Sequence, residues 1–210
     1  MQLKYIVFIF TLVLITSCNK KEEKPLPIYN PSNFNPELVD HSLRNKTEYH
    51  TVSDFNLINQ NGDIITQNYY KNKIYIADFF FTSCRTICPI MTDNMSKIQN
   101  IFLKDDDVML LSLSVTPEID SISILKGYAN DKGVIDSKWN ITTGDKKHIY
   151  NLARKSYFAV VEQGDGGLQD FIHTPNFILV DKKKQIRGIY DGTSIEDIKQ
   201  IIRDIYTLKK

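Results

Sequence analysis

Cys84 and Cys88 stand four residues apart in the stretch Phe79-Phe80-Phe81-Thr82-Ser83-Cys84-Arg85-Thr86-Ile87-Cys88-Pro89, directly after an apolar run. Two thiols so spaced form a soft-metal site or a redox couple. On a helix, four residues advance about 6 Å along the axis and return to the same face, so both sulfurs can reach one ion. The same spacing falls within the roughly 4.4–6.8 Å Cα separation of a disulfide. Spacing therefore leaves metal carriage and thiol exchange both open. A histidine is the discriminator, because thiolates suit Cu(I) while an added imidazole suits Cu(II). Two sulfurs and one nitrogen with a water also satisfy zinc.

The elements that must position these thiols are legible from periodicity. Ile74 to Phe81 reads as a strongly apolar strand, and Cys84 onward as a turn into a helix running to Phe102, with Pro89 tolerated in its first turn. Before them, Asp54-Phe55-Asn56-Leu57-Ile58 and Ile64-Ile65-Thr66 flank Asn59-Gln60-Asn61-Gly62-Asp63, a hairpin signal. Val108 to Val115 predicts a second buried strand, Ile122 to Ala129 and Asp145 to Lys155 predict helices, and Phe177 to Val180 and Ile186 to Tyr190 predict two further strands. Ser194 caps a closing amphipathic helix to Tyr206. Alternation of strand and helix followed by a hairpin and a helix predicts an α/β fold. One domain of about 160 residues accounts for residues 47–210.

The third cysteine, Cys18, belongs to a different device. Lys4 gives a positive start, Tyr5 to Thr16 is apolar, and Ile15-Thr16-Ser17-Cys18 resembles the lipobox at which bacterial lipoproteins are cleaved and acylated. The apolar run is about a dozen residues, short of the roughly 20 needed to span a bilayer, so residues 1–17 read as a signal peptide. Residues 18–46, with Pro25, Pro27, Pro31, Pro36 and the charged run Lys20 to Lys24, read as a lipidated, solvated tether. The domain is then expected outside the cytoplasm, in the cell envelope on a bacterial membrane, the periplasmic side favoured. Thiols tend to be oxidised there. Removing residues 1–17 takes away Lys4 and no acid, which leaves 25 basic side chains against 25 acidic ones. Such neutrality points to no nucleic-acid partner.

The element order, with a cysteine pair closing the first long strand and Thr174-Pro175 preceding a late one, resembles the thioredoxin-like fold, a central mixed sheet flanked by helices. Within that fold, three features together resemble the Sco/SenC family of copper-binding assembly proteins, over about His50 to Tyr206. They are Cys-x-x-x-Cys-Pro after a Phe-rich strand, the segment Ser114 to Asp120 (Ser-Val-x-Pro-Glu-x-Asp), and Gly164-Asp165-Gly166-Gly167 leading to Phe171-Ile172-His173-Thr174. The resemblance implies a membrane-anchored metallochaperone holding one copper, as Cu(I) or Cu(II), through Cys84, Cys88 and His173. Its client would be the copper A subunit of cytochrome oxidase or another exported copper or thiol protein. It also implies a cis Thr174–Pro175 bond facing the dithiol, which X-Pro bonds permit.

Without the motif, a loop histidine such as His173 reads as solvated, and His41, His50 and His148 read as surface residues. Two positions depart from the family pattern. Arg85 stands where relatives usually carry Pro, and a cation there favours thiolate yet repels incoming copper. Thr116 replaces the acid of Ser-Val-Asp-Pro. Asp78 on the first strand either tunes a buried thiol or marks a strand end meeting water. Met91 and Met95 read as core filling before copper thioethers, Trp139, Tyr157 and Phe158 as packing, and Asp181-Lys182-Lys183-Lys184 as a hairpin turn. A binding and transfer protein is the leading expectation. The alternative is an exported thiol-disulfide oxidoreductase with Cys84 as nucleophile and Cys88 as resolving thiol; peroxide reduction on the same scaffold ranks last.

Overall fold

Every residue of Ile74–Phe80 and of Val108–Ser114 is buried, as expected of central parallel strands covered on both faces. The computed structural model describes residues 25–33, 49–160, 164, 166, 167 and 169–210. The leader 1–17, Cys18, His41 and all of the tether except 25–33 lie outside the described residues. Strands β1 (Asn56–Asn59), β2 (Ile64–Thr66), β3 (Ile74–Phe80), β4 (Val108–Ser114), β5 (Trp139–Thr143), β6 (Asn176–Val180) and β7 (Ile186–Asp191) form one sheet in the order β2-β1-β5-β4-β3-β6-β7. Only β3–β4 and β4–β5 pair in parallel. The other four pairings are antiparallel, so the sheet is mixed.

Alternation along β3 sends Ile74, Ile76 and Phe80 to one face and Tyr75, Ala77 and Phe79 to the other. Helices α1 (Ile87–Ile101), α2 (Ile122–Asp131) and α4 (Ile195–Leu208) cover the first face. On α4, Ile198, Ile201 and Ile205 recur at helical spacing and are buried, and Ser194 accepts the Asp197 N–H as its cap. The second face is closed by α3 (Lys146–Asn151) and by the chain that follows it, through Leu152, Ala153, Tyr157 and Phe158. The predicted helix Asp145 to Lys155 is α3 followed by one π-helical turn, Leu152–Ser156. Met91 and Met95 are fully buried on the sheet-facing side of α1 and fill the core.

Three details differ from the sequence reading. β5 was not predicted as a strand, because the buried Asn140 and Thr142 break its apolar pattern. Asn140 donates to the Tyr70 hydroxyl (2.9 Å) and Thr142 to the Ser112 carbonyl (2.9 Å), so burial leaves neither unpaired. The predicted cis Thr174–Pro175 bond is corrected: there is no cis peptide among the described residues. The Thr174 hydroxyl donates to Ala159 O (2.9 Å) and receives the Asn176 N–H (3.2 Å), while Pro175 O accepts the Gly192 N–H (2.7 Å). These bonds fix a trans entry into β6.

Residues 25–33, placed in the tether by composition, lie along the β7 edge. Tyr29 N–H donates to Ile186 O (2.9 Å), and Arg187 donates to Pro27 O (2.9 Å), Leu26 O (2.6 Å) and the Asp181 carboxylate (2.8 Å). Prolines cost little here, since the strap's bonds are made by the Leu26 and Pro27 carbonyls and the Tyr29 N–H, and none needs a proline N–H. Arg187→Ala is expected to lower stability by about 2 kcal/mol and to speed proteolysis within 25–33, read by urea unfolding and limited digestion; unchanged digestion would mean the strap is held elsewhere.

Candidate dithiol site

Phe80 pairs opposite Ser114, so β3 and β4 end together at one edge of the sheet, and antiparallel β6 begins there. Three chain segments therefore converge: the cysteine turn after β3, Val115 to Ser121 after β4, and His173 to Pro175 before β6. Ligands of open α/β sheets gather at such carboxyl ends of strands.

The Cys84 N–H closes a turn onto Phe81 O (3.2 Å). Thr86 occupies the N-cap of α1 but makes no side-chain capping bond. The Cys84 sulfur takes that place and accepts the Cys88 N–H at 3.4 Å. Both cysteines are free thiols, Cys84 the more exposed. Burial by itself raises the Cys84 thiol, but hydrogen bonds from the Cys88 thiol and from the Thr86 and Cys88 N–H groups outweigh it and bring Cys84 down to about 6. Burial and the bond to Cys84 push Cys88 up to about 12, with the charge of Asp78 adding to the rise. Near neutral pH the pair is one thiolate held by one thiol. Arg85 is exposed, and the groups that favour the thiolate are those local donors.

Asp78 sits beneath the pair and is buried mid-strand, which removes the reading of a strand end meeting water. The Ser112 hydroxyl donates to its carboxyl, and Trp139 Nε1 donates to the Ser112 oxygen (2.9 Å). Burial pushes Asp78 up to about 7 against the opposing Ser112 bond. Trp139 thus packs, as expected, and also anchors this polar contact.

Asp120, the end of the Ser-Val-x-Pro-Glu-x-Asp segment, is wholly buried. It accepts from Thr82 N–H (3.3 Å) and hydroxyl (2.5 Å), Ser114 (2.5 Å) and Thr116 (3.0 Å). Thr116 therefore has a structural task of its own, donating to an acid within its own segment. The role of Asp120 was not legible in the motif itself, because Thr82 donates to it from 38 residues away.

His173 is exposed, its ring centroid 6.3 Å from that of Phe81 and 6.5 Å from Phe171. It lies at the convergent edge, but among the described residues no three His, Cys, Asp or Glu side chains form a metal-holding group. The structure brings Cys84 and Cys88 together and leaves His173 outside the pair. His50 and His148 are half-buried and not merely solvated: His50 Nε2 bonds Ser156 O (2.7 Å), and His148 Nε2 accepts the Asn56 N–H (3.3 Å).

This sheet, with its dithiol at the start of α1, is that of a thioredoxin-like protein. The SCO1/SenC family profile matches residues 44–210, and the chain belongs to that family. It is 34% identical over 163 residues to the SCO1 protein homolog of Bacillus subtilis, covering 75% of this chain and 84% of the relative. The crystal structure of a SCO1/SenC family lipoprotein from Bacillus anthracis matches with TM-score 0.68 and 31% identity, covering 77% of this chain and 96% of that one. BsSco, a member of the Sco family of cytochrome c oxidase assembly proteins in which a disulfide switch was identified, matches with TM-score 0.65 and 32% identity over 77% and 94%. Bradyrhizobium japonicum ScoI, solved with copper bound, shares the fold at TM-score 0.60 and 24% identity over 75% and 99%.

The unequal thiols predict a pH profile. Alkylation of Cys84 by iodoacetamide, followed by mass spectrometry, is expected to rise through a midpoint near pH 6 and to keep it in Arg85→Ala. A midpoint in the ordinary thiol range of about 8.5 would contradict the bonding described for Cys84.

Proposed function

We propose that this chain is a copper metallochaperone of the bacterial cell envelope, which binds one copper through Cys84, Cys88 and His173 and assists assembly of the copper A site of cytochrome oxidase. The observation that carries the reading is a thiolate at the head of α1, one helical turn from a second thiol at the convergent edge. Family membership supports it, as do the copper bound by ScoI and the assembly role of BsSco. Two sulfurs suffice for Cu(I); Cu(II) calls for the added imidazole. Cys84 offers its lone pairs at neutral pH, whereas Cys88 must surrender its proton on binding, so loading releases about one proton from the pair. His173 joins from its exposed position when copper is taken up.

The test is titration of the reduced full chain in detergent with Cu(II), followed by visible absorption and electron paramagnetic resonance. One equivalent is expected to give a thiolate-to-copper charge-transfer band that changes in His173→Ala, while Cys84→Ala and Cys88→Ala lose tight Cu(I) binding. Retained stoichiometric Cu(I) binding in both cysteine variants would sink the site. Equal affinity for Zn(II) and Cu(I) would remove the preference for copper.

A second reading rests on the same thiol split. The Cys84 thiolate attacks a client disulfide, forming a mixed disulfide and releasing one client thiol. Cys88 then gives up its proton and attacks the Cys84 sulfur, which leaves a Cys84–Cys88 disulfide and a fully reduced client. Cys84, the less deeply buried of the two, and Cys88 fit these roles. Prompt oxidation of the pair by Cu(II) with no stable complex would favour this oxidoreductase.

Anchoring through an acylated Cys18 completes the proposal; no helix among the described residues is long and apolar enough to cross a membrane. Cys18→Ala is expected to shift the protein from the membrane to the soluble fraction on cell fractionation. Persistent membrane association would refute the lipid as sole attachment.

A further inference from the structure

The glycine-rich segment before His173 is tied down by a largely buried ion pair. Arg154 projects from the π-helical turn after α3 and grips Asp170 with both terminal nitrogens, each 2.7 Å from a carboxylate oxygen. The two side chains are only 12% and 9% exposed. Such a planar fork fixes orientation as well as distance. Gly166 N–H adds a third bond to the same carboxylate (2.7 Å). Behind it, the Tyr150 hydroxyl lies between two carbonyls, Val115 O at 3.0 Å and Asp170 O at 3.2 Å.

The glycines now have a physical reason. Backbone at Gly164 lies so close to the pair that a Cβ would collide with the Asp170 carboxylate and Arg154 Nη2, and Gly166 has φ +72°, a conformation that favours glycine. Downstream, Thr174 is fixed by its bond to Ala159 O. Between the anchors at Asp170 and Thr174 only three residues remain, and the middle one, Ile172, is buried in the core. Phe171 and His173 flank it on the outside.

We propose that Arg154 and Asp170, backed by Tyr150, are positioning residues for His173, holding it on a taut three-residue arch at the dithiol edge. The inference rests on the reading of His173 as a copper ligand. A loosely held histidine would lose entropy each time it bound, whereas an arch pinned at both ends limits its excursions before copper arrives.

The experiment compares the reduced full chain with Asp170→Asn, Arg154→Lys and the doubly neutral Arg154→Met/Asp170→Leu, which leaves no unpaired buried charge. Cu(I) affinity is the control for an intact fold and dithiol. Expected in Asp170→Asn are Cu(II) dissociation at least tenfold faster, a shifted paramagnetic spectrum, Cu(I) affinity unchanged within about threefold, and amide hydrogen exchange over 169–174 at least tenfold faster in the metal-free protein. Arg154→Lys, which keeps the charge and loses the fork, is expected between wild type and Asp170→Asn, and the double variant is expected to keep Cu(I) binding with the same loss in Cu(II). Unaltered Cu(II) dissociation and loop exchange in all three variants, beside a clear effect of His173→Ala, would overturn the positioning role and leave the ligand set standing. No effect of His173→Ala on Cu(II) would overturn both.

Discussion

A carboxylate with no access to water fixes the geometry from which the rest of the site follows. Asp120 takes donors from Thr82, in the turn leading to Cys84, and from Ser114 and Thr116, at and beyond the end of β4. An unpaired charge buried there would cost several kcal/mol, so the two segments cannot separate without exposing or orphaning it. The cysteine turn is thereby bound to its neighbouring strand. From β4 the constraint continues: Val115 O meets the Tyr150 hydroxyl, which also meets Asp170 O at the foot of the His173 arch. A chain of hydrogen bonds and packed residues thus connects the thiols to a loop more than 80 residues later in sequence.

The inequality of the thiols follows from where α1 begins. Cys84 lies before the first turn, where backbone N–H groups have no partners inside the helix, and its sulfur accepts one of them. Cys88 is inside that turn with its sulfur toward the core, beside a buried acid, and keeps its proton. Neither feature needs Arg85. A substitution that looks decisive in a sequence can be minor when the local backbone already supplies the donors.

Most of the sheet, the dithiol and the candidate histidine were legible because they carry periodic or motif signals: uninterrupted apolar residues in β3 and β4, a fixed cysteine spacing, glycines before His173. What was not legible depends on partners distant in sequence. Nothing local to Trp139–Thr143 tells that Asn140 and Thr142 find Tyr70 and Ser112, so β5 escaped notice. Proline content made residues 25–33 look like free linker, although Arg187 binds carbonyls that proline does not remove. Asp78 could be read two ways until Ser112 was seen opposite it in the ladder. Arg154 and Asp170 gave no signal at all, since their pairing requires the π turn and the glycine loop to meet.

Copper carriage and disulfide exchange draw on the same Cys84 thiolate, so the thiols alone do not choose between them. Exchange requires a client sulfur to approach Cys84 in line with the disulfide being broken, with Cys88 free to follow. Carriage of copper as Cu(II), as proposed, would call on a nitrogen donor close to the pair in addition to the two sulfurs. In the proposed ligand set, the exposed His173 between two anchored residues would be that donor, a part that thiol exchange does not need. In the proposed function, the Arg154–Asp170 ion pair, the close-packed glycine and the shared tyrosine hydroxyl around His173 would serve metal transfer, whereas thiol exchange alone makes no use of them.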